Sequence, residues 1–272
     1  MVKHSRKFKP RKAGRRSLGN IVAFAALGIV LVGALYWYFS TSRTGTVNTS
    51  VVNTKPEALI ADSLSLDFPD PDLVQRLRDV LQKAGYEVTV VYGEDVNLTL
   101  YSDLTKYSLI ILRVHGGKAT YKTPDGKVHK LNGLFTGLPW SDEYEYLKLN
   151  WIATRARPYN SNKTFLAVLP KFFDTELKGH FKPGSVLIVA SCYSLYTSDI
   201  AEALGRKGLT HFIGWAGPVT VTHMDKALEL LIDKVMQGNE SWIQAVKAVN
   251  QELGPDPSYG DYLRVVTFIR KS

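Results

Sequence analysis

Residues 185–191 read SVLIVAS and lead into Cys192, and residues 109–114 read LIILRV and lead into His115-Gly116-Gly117. Each is a short, nearly unbroken apolar run, too brief for an ordinary helix and without the alternation of a half-exposed strand. Such runs are strands buried on both faces, as in parallel sheets whose crossover helices cover both sides. Working outward, ALIAD (58–62), YEVTVVY (86–92), THFIGWA (210–216) and YLRVVTFI (262–269) read as further strands. Between the first two, Asp70 caps a helix that has Pro71 at its first turn. Leu73, Val74, Leu77, Val80, Leu81 and Ala84 keep helical spacing on one face of it, and Gly85 ends it. Helices are also expected near 165–177, 198–206, 224–236 and 240–253. The pattern predicts an α/β domain over residues 57–272, a mostly parallel sheet of about six strands with helices on both faces. Residues 118–131 read as a hairpin turning at Pro124-Asp125-Gly126. Residues 132–162 show no regular pattern.

The formal charge of +9 is unevenly spread. Eight of the 34 basic residues lie in the first nineteen positions, which hold no acid; the other 26 face 25 acidic residues. The domain is thus near neutral and lacks a basic footprint for nucleic acid. After the basic tail (1–19), residues 20–39 read NIVAFAALGIVLVGALYWYF, uncharged and closed by four aromatic residues. At about 1.5 Å per residue this stretch predicts a single transmembrane helix. The bias of positive charge places residues 1–19 in the cytoplasm and the domain outside. A cleaved signal peptide is the alternative, but the apolar run is long for one. Residues 40–56 form a polar stalk rich in Ser, Thr and Asn. Asn48, Asn97, Asn162 and Asn239 begin glycosylation sequons, which fits an exported domain.

Chemistry concentrates at two strand ends. Ligands of open α/β sheets bind outside the carboxyl ends of the strands. His115 follows one such strand, and Cys192, the single cysteine, follows another. One cysteine cannot form an internal disulfide, so it is either a buried thiol or a reactive one. If the two strands are neighbours, imidazole and thiol open on one rim and can act as base and nucleophile. The amides of Gly116 and Cys192 are candidate donors to the oxyanion of a tetrahedral intermediate. No histidine pair has metal-ligand spacing, and no glycine-rich phosphate loop opens a helix, so neither metal nor cofactor is expected.

Strand–His-Gly followed by strand–Ala-x-Cys resembles the caspase-like clan of cysteine peptidases (clan CD). The likeness rests on LIILRVHGG, on VLIVASCYS, and on DIAEALGRKGLTHFIGWAG after the cysteine. The last segment is similar to clostripain-like and separase-like members. The resemblance implies a Cys192–His115 dyad acting on peptide or protein substrates, with Gly116 at the oxyanion hole. It also implies, as in gingipain-like members, an acidic pocket wall at Asp62; the plainer role for Asp62 is a bond to backbone at the strand end. There are departures. Ser191 separates Ala190 from Cys192, and Ala190 stands where clostripain-like enzymes carry an acid for basic side chains. The competing reading is an inactive surface domain that binds a partner through Trp140, Tyr144, Tyr146, Trp151 and Tyr159. An amidotransferase-like hydrolase fits less well, because its cysteine precedes its histidine.

Overall fold

The computed structural model describes residues 55–123, 125–159 and 161–269. The predicted tail and membrane span, and the stalk as far as residue 54, lie outside the described residues, as does Pro124 of the hairpin turn. Among the described residues, no helix is long and apolar enough to cross a membrane.

The elements follow in the order β1 (Glu57–Asp62), α1 (Pro71–Lys83), β2 (Glu87–Tyr92), α2 (Leu98–Ser102), β3 (Leu109–Arg113), β4 (Gly116–Lys122) and β5 (Val128–Pro139). Next come α3 (Glu145–Leu149), β6 (Ala153–Ala156), β7 (Phe165–Val168), α4 (Pro170–Thr175), β8 (Val186–Ala190), α5 (Asp199–Arg206) and β9 (His211–Trp215). The chain closes with α6 (Val221–Met236), α7 (Trp242–Leu253) and β10 (Leu263–Thr267). Six strands form the main sheet in the order β10-β9-β8-β3-β1-β2. All neighbours are parallel except β10, which runs antiparallel to β9. The domain is therefore α/β, with a mixed but mostly parallel sheet of six strands.

Local chemistry accounts for the elements. The side chain of Asp70 accepts the Leu73 amide at 2.9 Å, and Pro71 occupies the first turn of α1, where its missing N–H costs nothing. A Ser241–Gln244 capping box starts α7. Strands β1, β3 and β8 are buried nearly end to end, which is why they read as continuous apolar runs. One core cluster joins Leu73, Leu77, Leu228, Leu231 and Val249 of α1, α6 and α7 to Ile60, Ile111 and Ile188 of the sheet. The other joins Tyr101, Phe172, Phe173 and Leu204 of α2, α4 and α5 to Leu59, Leu112 and Leu187. The two clusters use alternate residues of the same strands, so they lie on opposite faces of the sheet.

The expected hairpin of residues 118–131 is present, as β4 paired antiparallel with β5. Two features were not expected. The hairpin belongs to a second, antiparallel sheet of four strands, in the order β4-β5-β7-β6, which takes in much of the segment without regular pattern. Residues 165–177 are not one helix. Phe165–Val168 is a buried strand paired on both sides, and the helix begins only at Pro170. A strand between two partners satisfies its backbone there, and proline is favoured where the helix starts rather than inside it.

Candidate active site at the sheet rim

Along the sheet, β2 lies on one side of β1 and β3 on the other, so strand order reverses between β1 and β3. The crevice outside the carboxyl ends at such a reversal is where α/β sheets place ligands. His115 stands at the end of β3, and the loop 63–68 leaves the end of β1. Strand β8 pairs in parallel with β3, Arg113 facing Ala190, so Cys192 emerges one strand away from His115. The adjacency that the dyad requires is present.

The two strand ends also touch. A methyl group built on Gly116 would overlap Ser191 Oγ and the backbone carbonyl oxygen of Cys192. Only a residue without a side chain lets β4 run this close to the cysteine loop. That loop is an elbow folded back over β9. The amide of Tyr193 donates to Gly217 O at 2.9 Å and that of Leu195 to Trp215 O at 2.8 Å. Buried Ser194 fastens the bend by accepting the Trp215 amide at 3.0 Å. Tyr193 takes a positive φ of 58°, an uncommon conformation for a bulky residue that costs on the order of 1–3 kcal/mol. Strain of this kind beside a thiol is a mark of functional sites.

His115 is oriented by a residue that the sequence did not disclose. Its Nε2 lies 3.2 Å from Asp67 Oδ2, and Lys163 Nζ donates to Asp67 Oδ1 at 2.9 Å. With Nε2 giving its hydrogen to the carboxylate, the neutral ring keeps Nδ1 free as the basic nitrogen. The ring is flanked by Phe68, edge-on at 6.2 Å between centroids, and by Phe135 at 5.8 Å. Burial, the largest influence, pushes the imidazole below its ordinary value; the bond and charge of Asp67 oppose this, and the charge of Arg113 adds to it. Burial acts to raise the Asp67 carboxyl, but the bonds from Lys163 and His115 outweigh it and hold the group low. Asp67 is thus a carboxylate behind a neutral histidine.

Cys192 is half-buried, packed against the cluster that contains Trp215 and Val219. Its Sγ donates to Val219 O and accepts from the Val219 amide, both at 3.4 Å. Among the described residues no hydrogen bond joins Sγ to His115, so the structure brings the loops together without engaging thiol and ring. Burial raises the thiol above its ordinary value, the Val219 amide lowers it, and the charge of Asp256 raises it further. Both directions favour the neutral thiol and the neutral imidazole over a thiolate–imidazolium pair. Alkylation of Cys192 by iodoacetamide is accordingly expected to rise with pH, with its midpoint above the usual thiol value of 9.0. A midpoint near pH 6 would identify the ion pair instead.

Asp62 is not open to a substrate. It is fully buried; Arg113 Nη1 donates to both of its oxygens, at 3.0 and 3.1 Å, and the Ser65 amide to one of them. The pocket wall expected there is an internal ion pair. The other nearby acids are also committed: Asp225 to Arg113, Asp256 to Thr220, Ser258 and Tyr259, and Asp261 to the Gly217 amide and Arg264. Exposed Lys118 lies 5.3 Å from the Tyr193 ring centroid and 5.9 Å from that of Tyr196. A cleft of about 600 Å³ lies elsewhere, lined by Tyr121, His129, Trp151, Lys171 and Glu202, and neither dyad residue borders it. Of the aromatic residues considered as partner anchors, Tyr146, Trp151 and Tyr159 are exposed, whereas Trp140 and Tyr144 pack over an internal cluster.

The sequence matches no known protein family, and no match to a curated protein is found.

Proposed function

We propose that this chain is a caspase-like cysteine endopeptidase, held in a membrane by residues 20–39 with its domain outside. The observation that carries the reading is the contact of the two rim loops: Gly116 lies against the Cys192 carbonyl, with an oriented histidine on the preceding residue. Catalysis begins when the thiol turns from Val219 toward His115. Nδ1 takes the Sγ proton as sulfur attacks the substrate carbonyl carbon, and the negative charge passes to the carbonyl oxygen. The amides of Gly116 and Cys192 are the donors proposed for that oxyanion. His115 then returns the proton to the leaving amine, and a thioester remains. Water, deprotonated by the same nitrogen, cleaves the thioester and restores the thiol.

The rim supports non-basic substrates. Asp62, Asp67, Asp225, Asp256 and Asp261 all have internal partners, so none is free to draw in a Lys or Arg side chain. The expected result from a peptide library offered to the purified full-length chain is cleavage at neutral or acidic residues, absent from the Cys192→Ala variant.

Asp67 gives a second check. Asp67→Asn removes the carboxylate that fixes the tautomer, and kcat/KM should fall by about 10- to 100-fold. Activity requires neutral His115, so it rises as pH climbs through the imidazole pKa, below the ordinary 6.5. Losing the Asp67 anion lowers that pKa, so the acidic limb of the kcat/KM profile should move to lower pH. A limb that stays in place would remove Asp67 from the mechanism.

The second reading is an inactive caspase-like surface domain that binds a partner. Its supporting observation is that both polar contacts of Sγ go to Val219 rather than to His115.

A further inference from the structure

Arg113 is the last residue of β3 and is 1% exposed, in a strand otherwise made of Leu and Ile. Its guanidinium is satisfied on every side. Nη1 donates to both Asp62 oxygens, Nε and Nη2 grip the Asp225 carboxylate at 2.8 and 2.9 Å, and Nη1 and Nη2 converge on Phe68 O, each at 3.0 Å. One side chain thus ties together the end of β1, the loop 63–68, β3 and α6.

A buried ion cluster is weak evidence for stability, because apolar residues of similar volume often do as well. The third ligand of the cluster points to another role. Phe68 immediately follows Asp67, the residue is 47% exposed, and its carbonyl accepts from Arg113 alone among the described residues. The other backbone and hydroxyl bonds of the loop are local, through Asp67 N and Phe68 N on Leu64 O and Ser65 on Asp62, while Leu64 packs into the core and the Asp67 side chain meets Lys163 and His115. The fork on Phe68 O ties the backbone next to Asp67 directly to Arg113, two residues before His115.

We propose that Arg113 is a positioning residue: by holding the Phe68 carbonyl it sets the Asp67 carboxylate against Nε2 of His115 and so fixes which ring nitrogen is basic. The assignment rests on His115 being the base of the dyad. The charged groups around the ring are Asp67 from the loop 63–68, Lys163 behind Asp67 from the segment before β7, and Arg113 from β3. Asp62 and Asp225 face Arg113 in turn. The Phe68 and Phe135 flanks carry no charge.

The test is the NMR titration of the His115 ring in the full-length chain, which needs no turnover. Asp67→Asn should lower the His115 pKa by about one unit, since a neighbouring anion is removed. Arg113→Lys keeps the charge but offers a point donor in place of a planar fork, so it cannot hold Asp62, Asp225 and Phe68 O together. It should lower the His115 pKa by about half a unit or more, in the same direction as Asp67→Asn. A purely structural Arg113 predicts a lower melting temperature with an unmoved titration, and that result overturns the proposal. Should Arg113→Lys fail to fold, Asp225→Glu serves. It keeps the anion but displaces the carboxylate that orients the fork, and a smaller downward shift is expected; no shift overturns the proposal equally. An unmoved titration in Asp67→Asn overturns it too, because the contact being positioned would then be absent. Failure of the peptidase reading is seen separately, as turnover that Cys192→Ala does not change.

Discussion

Replacing Cys192 with alanine is expected to lower kcat/KM by at least about 10³-fold while leaving the fold in place. The activity loss follows from the chemistry, because no other thiol exists in the chain and the hydroxyl of Ser191 is committed to the Cys192 carbonyl at 3.0 Å. The stability change should be small, about 1 kcal/mol, since the substitution removes one sulfur and its two weak contacts to Val219. Thermal melting and peptide hydrolysis measured on one preparation separate the two effects. His115→Gln should give a comparable loss, because the two residues act as one unit and their effects do not add. Turnover that persists in Cys192→Ala would end the peptidase reading and leave the binding domain, whose thiol belongs to Val219.

The main sheet was legible because its strands are buried on both faces. Runs such as VLIVA and LIILR have no polar alternation to obscure them, and all six fall within a residue or two of the predicted bounds. The second sheet was not, because its strands obey a different constraint. In β5, Gly137 makes room for the Gly93 backbone, and such a glycine reads as a break rather than as a close contact. The adjacency of the His115 and Cys192 loops was legible from their positions at the ends of two apolar strands, which pair in parallel. Asp67 was not. It lies 48 positions before His115, in a loop whose sequence LSLDF carries no spacing signal, and only the reversal of strand order brings it to the ring.

Arg113 could have been found. A cation within LIILRV, on a strand expected to be buried on both faces, requires buried anions, and ALIAD places Asp62 at the end of another such strand. The same requirement argues against a substrate pocket at Asp62, since the acid is needed internally. The cluster contains two carboxylates for one guanidinium. Burial and the neighbouring charge of Asp225 accordingly push the deeper acid, Asp62, upward against the opposing pull of Arg113. Asp225 and Asp62 in turn outweigh the burial of Arg113 and keep it charged.

Gly116→Ala should be damaging in a way that its mild chemistry does not suggest. The new methyl would overlap Ser191 Oγ and the Cys192 carbonyl oxygen and stand 3.3 Å from the Cys192 carbonyl carbon. A side chain can rotate away, but the carbonyl belongs to the elbow that Leu195 fastens to Trp215 at the end of β9 and Tyr193 to Gly217 just beyond it, so the backbone itself must give. Overpacking of this kind costs about 1–3 kcal/mol. A displacement of about 1 Å between nucleophile and base is enough to lower kcat/KM by a further 10²-fold. Two companions identify the cause. Gly117→Ala meets only the Phe135 ring, at 3.4 Å, and should be nearly neutral. Ser191→Ala added to Gly116→Ala clears the hydroxyl but not the carbonyl, so it should restore neither the melting temperature nor the activity. Rescue by Ser191→Ala would locate the clash in the side chain. A Gly116→Ala protein as stable and active as the wild type would mean that the His115 and Cys192 loops do not meet, and the dyad would lose its geometric basis.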